Sequence, residues 1–478
     1  MKTIVFSVAA ALSFLQAGVG LSYFISSLRE QETRAAIFGA AQFLLMLGLV
    51  ILLFYLQTTG FFTTGAGFSV LALGLGLVLG LLIFLTRTTG SNQKALAGTQ
   101  GLIIGRVTKV DERDIVFARN RSLPAGSEQY KTYYELHPER EQFDAARRNR
   151  GGPLGKPGTI DKPKDRPNVA AAMACLSIPI HLATPEKYNP PPHPEFNEQR
   201  VEMPPETAGS RVKGYALSLG ADLVGITEIN PLWIYSRRGE IFNNKWDEWG
   251  RPIEVPHKYA VVFATEMALD LVGTAPHTPT TIASMANYAR GAIIATQLAA
   301  YIANLGYSAT ANHLRHYDAV LVPLAVDAGL GETGRLGYLI TKDFGPRVRL
   351  GAVTTDIPLI PDQPVDLGVA DFCRICKKCA NCCPSNSIPL DDLQETNGTL
   401  RWKLNAETCF DYWGKVGTDC NICMRVCPWG HADTFPHRLI RTLIIRNKYS
   451  RRLFSRMDDI FYGQKPITKP APRWAEYE

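Results

Sequence analysis

Residues 373–384 read CRICKKCANCCP, and residues 420–428 read CNICMRVCP. The first run is Cys373-x2-Cys376-x2-Cys379-x3-Cys383-Pro384. The second is Cys420-x2-Cys423-x3-Cys427-Pro428, and Cys409 stands upstream where it can supply the missing leading thiol across a loop. Closely spaced thiolates wrap the corners of an iron–sulfur cubane, and the cysteine before proline leaves the loop for the other cubane. Crossed in this way, Cys373, Cys376, Cys379 and Cys427 form one set of four, and Cys409, Cys420, Cys423 and Cys383 the other. Two [4Fe–4S] clusters are expected. A structural zinc site does not require two interlocked runs with Cys-Pro ends. Cys382 has no place in either set. Cys175, in the apolar run AAMACLSIP, reads as a buried core residue. One dense group among ten cysteines points to metal in a reducing environment, not to disulfides.

Such clusters carry single electrons, so a second redox centre is expected elsewhere in the chain. Residues 361–435 therefore form a ferredoxin-like domain, and the domain before it, residues 208–360, has the pattern of an α/β fold. VKGYALSLGADLVGI predicts a helix then a strand, KYAVVFATE a strand, and ASMANYARGAIIATQLAAYIANLG a long helix. AVLVPLAV, YLITKDFG and RVRLGAVTT are read as strands, with the glycine-rich turn GLGETGRLG among them. Residues 95–207 read as a wrapping segment: LIIGRVTKV is β-like, and the Gly/Pro-rich stretches at 149–165 and 183–208 are loops. Residues 436–478 form a basic tail. Its RLIRTLIIRNKYSRRLFSRM is helix-like and reads as a solvated basic face, with anionic lipid as the alternative.

Residues 1–94 differ in kind. Thr3–Ser27, Ala35–Leu56 and Ala66–Thr86 carry no charge. About 20 apolar residues suffice to cross a hydrocarbon core of about 30 Å, so three membrane-spanning helices are expected. A cleaved signal peptide would account only for the first. Arg29 and Arg34 in the first loop share a side with Arg87, Lys94 and Arg106, whereas Lys2 is the basic side chain opposite. The positive-inside rule thus makes this a multi-pass protein of the cell membrane with its soluble part facing the cytoplasm, and the chain has no N-terminal twin-arginine signal.

The remaining composition agrees. The chain has 478 residues, 46% apolar and 20% charged, with a net charge of +7 and no polybasic block. Its mean hydropathy of −0.04 suits a mixed membrane and soluble chain. Nucleic acid as the main partner, disorder, and a small disulfide scaffold are all disfavoured.

Along nearly its full length the soluble part resembles the catalytic subunit of reductive dehalogenases. The matching segments are DERDIVFARN, YKTYYELHPE, LGADLVGITEINPLWIYS, HKYAVVFATEM, AGLGETGRLGYLITKDFGPRVRLGAVTTDIPL and both cysteine runs with CFDYW between them. The resemblance implies a nitroreductase-like cobalamin-binding domain followed by the ferredoxin-like one. It implies base-off cobalamin too, since the chain has no Asp-x-His-x-x-Gly. Family members usually carry a twin-arginine signal and dock on a separate three-helix anchor. Here three helices are fused to the enzyme, and Glu30-Gln31-Glu32 in the first loop looks like the Glu-x-Glu motif of that anchor. An ordinary solvated loop is the alternative for this acidic pair.

The implied reaction is R–X + 2e⁻ + H⁺ → R–H + X⁻, on an organohalide substrate. The family's proton donor is a tyrosine polarised by a basic residue. A phenol of pKa about 10 is a poor acid at neutral pH, and a nearby cation lowers that value. By position the resemblance carries this role to Tyr288, with Arg347 as its partner and Arg349 as the register alternative. It makes Asn312 a polar neighbour of the substrate. Gly329, Gly331, Glu332 and Arg335, in the glycine-rich turn, are the expected cobalamin contacts. Trp413 and Trp429 either wall the pocket or belong to the core. The membrane lipid is a partner, and the electron donor is quinol-linked or a soluble ferredoxin or flavodoxin.

Two rivals remain. An epoxyqueuosine reductase-like enzyme acting on tRNA would be soluble with a basic RNA surface, and the three apolar runs and near-balanced globular part argue against it. A non-catalytic membrane electron carrier would not need the 208–360 domain.

Overall fold

The computed structural model describes residues 2–150, 162–196, 200–242 and 245–477. The chain divides into two compact units: residues 1–91 with 431–467, and residues 92–430 with 468–478.

The first unit is helical. Lys2–Arg29, Thr33–Thr58 and Gly65–Thr86 are long and apolar enough to cross a membrane. Their ends lie within a few residues of the three uncharged runs. The first two pack closely because glycines face backbone: a Cβ on Gly20 would lie 2.9 Å from the Phe43 nitrogen, and one on Gly39 2.7 Å from the Phe24 nitrogen. Gln31, at φ 58°, turns the chain between them. The Thr64 hydroxyl accepts from the Gly67 amide and caps the third helix. The basic tail forms two helices, Phe435–Arg446 and Lys448–Tyr462. Asn447 separates them: its side chain accepts from the Tyr449 amide and donates to the Phe84 carbonyl.

In the second unit, one antiparallel sheet runs Leu223–Glu228, Tyr259–Glu266, Val348–Thr355, Ala309–Asn312. The Tyr259–Glu266 strand is covered on both faces. Val261 and Phe263 join a core with Ile294, Leu298 and Ile302 of the Thr278–Asn304 helix. Ala260 and Val262 face the other way, into a core with Leu321, Leu324 and Ala325. Two-sided burial is why this strand reads as a continuous apolar run instead of alternating.

That second layer corrects an expectation. AVLVPLAV is not a strand; Leu321–Asp327 is an α-helix. A short apolar run is ambiguous between buried strand and buried helix. Here Pro323 sits in the first turn, where its missing N–H leaves no helical bond unmade. YLITKDFG holds only the two-residue strand Leu339–Ile340. The strand Ala309–Asn312 is the sheet member that the sequence reading passed over.

The segment before the sheet is more helical than expected. LIIGRVTKV forms no regular strand: Ile103 bridges Thr399, and the Ile104 and Gly105 amides both donate to the Gly398 carbonyl. Helices span Val116–Ser122, Glu128–Leu136, Pro138–Arg150 and Arg166–Leu182. The glycine-rich stretch at 151–158 lies outside the described residues. An ion network, buried except at Glu407, ties Val116–Ser122 and Pro138–Arg150 to Ala406–Val416. Arg119 pairs with Asp144 at 2.8 Å and Glu407 at 2.5 Å, and Arg147 pairs with Asp144 at 2.8 Å and Glu407 at 2.7 Å. Arg119, Asp144 and Arg147 are buried, so removing one of these three strands the others and costs about 3–5 kcal/mol. Cys175 lies half-buried on the Arg166–Leu182 helix, and burial pushes its thiol up.

Candidate functional site

The eight thiols expected to bind metal come from short helices and turns. Cys373 and Cys376 end the Val369–Cys376 helix, and Lys377, at φ 53°, bends the chain so that Cys379 follows on Lys378–Asn381. Cys420 and Asn421, at φ 64° and 55°, do the same before Cys423. Cys409 is carried by Ala406–Val416. No disulfide joins the described cysteines.

The thiols crowd one another within each expected set, and Cys379 of the first set also acts on Cys423 of the second. Burial drives Cys379 well up, and Cys373, Cys427 and Cys376 add repulsion. Burial likewise pushes Cys420 up to about 12, reinforced by Cys409 and Cys383. Cys383, Cys409, Cys420 and Cys423 line one small enclosed cavity. Crowded buried thiols of this kind are unfavourable without a cation and favourable ligands with one, so both sets fit an iron–sulfur cluster.

A second cavity, of about 390 Å³, adjoins the first. Tyr338, Leu404, Cys409, Trp413 and Asn421 line both. Tyr288 and Arg349 are in its wall, with Tyr235, Tyr317 and Phe410. These aromatic walls suit a large flat ligand such as a corrinoid.

Arg349, not Arg347, accompanies Tyr288. Its guanidinium lies over the Tyr288 ring, 5.0 Å from the centroid. It donates to Ser284 at 2.7 Å and to Asp419 at 3.4 Å, and the Ser284 hydroxyl donates to Asp419 in turn. Burial works against the Arg349 cation, but Tyr288 and Asp419 outweigh it and the net shift is upward. Arg347 lies just before the strand and is fully buried. It donates to the Gly430 and Met267 carbonyls, each at 2.7 Å, and to Glu266 at 2.8 Å.

The other expected contacts are placed away from this cavity. Asn312 accepts from the Asp318 amide at 2.7 Å and donates to the Thr310 carbonyl, so it shapes its own loop. The glycine-rich turn packs on the Cys373 segment. Glu332 accepts from the Leu367 and Val369 amides at 2.6 and 3.3 Å and caps the helix that carries Cys373 and Cys376. Arg335 donates to the carbonyls of Cys373, Pro389 and Asp391. A Cβ on Gly329 would meet the Gln363 oxygen at 2.5 Å, and one on Gly331 the Ile340 oxygen at 2.2 Å. The close approach that these glycines allow is to backbone. Trp413 does wall the cavity, while Trp429 is core, edge-on to Phe372. The residues not foreseen are Tyr338, Tyr317, Ser284 and Asp419. Asp419 alone had a legible signal, as an acidic neighbour of a ligand cysteine.

Residues 372–431 match the family model for a 4Fe-4S dicluster domain. The tetrachloroethene reductive dehalogenase of Desulfitobacterium hafniense is 33% identical over 279 residues, 49% of this chain and 50% of that one. Among solved structures, one of a reductive dehalogenase described as suggesting a mechanism for B12-dependent dehalogenation superposes with a TM-score of 0.59 and 27% identity. It covers 78% of this chain and 50% of that one. In sequence and in fold this chain is similar to reductive dehalogenases. The catabolic reductive dehalogenase NpRdhA, in complex with 3-bromo-4-hydroxybenzoic acid, is similar at 28% identity and a TM-score of 0.59, over 76% of this chain and 48% of that one. The chain spans about half the length of the curated relatives it matches.

Proposed function

We propose that this chain is a membrane-anchored reductive dehalogenase that removes halide from an organohalide by two-electron reduction. The observation that carries the reading is the shared wall: Cys409, Trp413 and Tyr338 separate the four-thiol cavity from the cavity holding Tyr288. In this reading the nitroreductase-like part binds cobalamin in the Tyr288 cavity, and the ferredoxin-like part binds two [4Fe–4S] clusters. Cys373, Cys376, Cys379 and Cys427 hold one cluster; Cys383, Cys409, Cys420 and Cys423 hold the other, beside the cobalamin.

When bound, cobalamin supplies a reduced cobalt centre for breaking the carbon–halogen bond. The chain supplies the proton and excludes water. The Tyr288 hydroxyl gives its proton to the carbon, and Arg349 offsets the charge left on the phenol oxygen. Ser284 and Asp419 hold the guanidinium in place. Phe410, Trp413 and Leu350 keep the cavity apolar. A non-catalytic electron carrier would have no use for this cavity. The three apolar helices make the chain multi-pass, with its soluble part facing the cytoplasm and its electrons coming from a quinol-linked donor or a soluble ferredoxin or flavodoxin.

The test is reconstitution with iron, sulfide and cobalamin, followed by halide release from a panel of organohalides under strong reductant. Halide from at least one substrate, dependent on cobalamin, is the expected result. Failure to bind cobalamin, or no halide from any substrate, overturns the proposal. Protease treatment of inside-out vesicles should release the soluble part; protection there would refute the cytoplasmic side.

A further inference from the structure

The helical unit holds a group of side chains that dehalogenation does not use. Glu30 follows the first apolar helix, and His431 and His437 come from the far end of the chain. One ligand atom from each lies within 4.8 Å of the other two. All three are largely withdrawn from solvent, with side-chain exposures of 6% for Glu30, 17% for His431 and 5% for His437. Two ligands on tetrahedral zinc are about 3.3 Å apart, given bonds of about 2.0–2.1 Å, so a small side-chain movement closes the set.

The surroundings orient the imidazoles as metal sites do. His431 Nε2 pairs with Asp458 Oδ1 at 2.7 Å. With its proton directed at that carboxylate, the ring leaves Nδ1 as its lone pair. His437 Nε2 meets the Tyr462 hydroxyl at 2.9 Å, and His437 Nδ1 faces Glu30 Oε1 at 3.8 Å while holding the Thr434 hydroxyl at 2.8 Å, a contact that an ion would displace. The two rings stand nearly parallel, with 5.1 Å between centroids and a 17° interplanar angle. Tyr462 is itself held by the Tyr23 hydroxyl at 3.0 Å.

We infer that Glu30, His431 and His437 form a binding site for a divalent first-row transition-metal ion, with Asp458 and Tyr462 as the outer partners that orient the two histidines. Two imidazoles and a carboxylate suit Zn²⁺ and its neighbours and leave further positions to water. The ion joins the turn after the first apolar helix to the Phe435–Arg446 helix and to the bend that precedes it. It thus staples segments some 400 residues apart in sequence within one unit. This site does not depend on the dehalogenase reading.

The test uses the full chain in detergent with its iron–sulfur clusters assembled, stripped with a chelating resin and then given Zn²⁺ alone. Zinc and iron are measured in the same sample. The expected result is about one zinc per chain, lost in His437→Gln and in Glu30→Gln while iron is unchanged. Asp458→Asn should weaken zinc affinity by about 10–100-fold. Zinc absent from the parent, or retained unchanged in both variants, overturns the inference. X-ray absorption on zinc in the parent decides without any variant. A nitrogen and oxygen shell with imidazole scattering supports the site; a sulfur shell near 2.3 Å would place the zinc on cysteines and refute it.

Discussion

The Arg349 guanidinium lies 5.0 Å from the centroid of the Tyr288 ring. The two come from different elements: Tyr288 from the Thr278–Asn304 helix, and Arg349 from the Val348–Thr355 strand, opposite Thr265. The packing of that helix on that sheet therefore makes the pair.

Tyr288→Phe removes one hydroxyl and keeps the ring that Arg349 covers. Halide release by the reconstituted enzyme should fall by about 10²-fold or more, the usual contribution of a positioned proton donor. Iron and cobalamin content should match the parent. Full activity in this variant would eliminate Tyr288 as the donor.

Arg349 and Arg347 should separate cleanly. Arg349→Lys keeps a charge but loses the planar stack on Tyr288 and the fork toward Ser284 and Asp419. Its halide release should drop by roughly tenfold or more, with normal yield of folded protein. Arg347→Met instead strands the buried Gly430 and Met267 carbonyls, while the part-exposed Glu266 carboxylate can turn to water. Each buried orphan costs about 1–3 kcal/mol, so folded yield should suffer. The reverse pattern would restore Arg347 as the partner of Tyr288.

The cysteine sets predict iron content. In the proposed assignment Cys409→Ala removes a ligand of the set lining the enclosed cavity, and iron should fall to about half of the eight per chain that two clusters would bring. Cys382→Ala should leave iron unchanged. Loss of iron in Cys382→Ala would require a different ligand assignment.

Glu112 gives a pH dependence outside the metal region. Burial pushes its carboxyl up to about 7; Arg238 and the Gly239 and Glu240 amides pull the other way. The unfolded chain's value is about 4.3. Between these values the native state binds more protons than the unfolded one, so stability falls as pH rises across that window and levels off above about 7. Amide exchange at Gly239 and Glu240, which donate to Glu112, reads this locally. After correction for intrinsic rates, protection should decline between about pH 5 and 7, by at most the order of 10²-fold. Glu112→Gln should abolish the decline. Equal protection in the parent at both pH values would contradict the assignment.

Much of this architecture is legible in the chain. Regular spacing and uniform polarity are local, so the three apolar helices, the Thr278–Asn304 helix and the cysteine runs within the 4Fe-4S dicluster match could be read directly. Errors arose where one local pattern serves two folds. AVLVPLAV has the apolar content of a strand, yet it covers the second face of a sheet and does so as a helix. The turn GLGETGRLG resembles a ligand cradle, yet its glycines make room for neighbouring backbone, and Glu332 and Arg335 brace the Cys373 segment. Asn312 was expected beside the substrate, but the Asp318 amide and Thr310 carbonyl hold its side chain within its own loop.

By itself, the sequence determined which residues could bind iron and which segments were apolar enough to cross a membrane, because thiol spacing and hydropathy are properties of short stretches. Only the tertiary structure decided that Arg349 and not Arg347 faces Tyr288, that Tyr338 and Trp413 divide two cavities, and that Glu30 meets His431 and His437. Each depends on where side chains from distant segments point once their helices and strands pack, and a two-residue shift along a strand suffices to exchange one arginine for another.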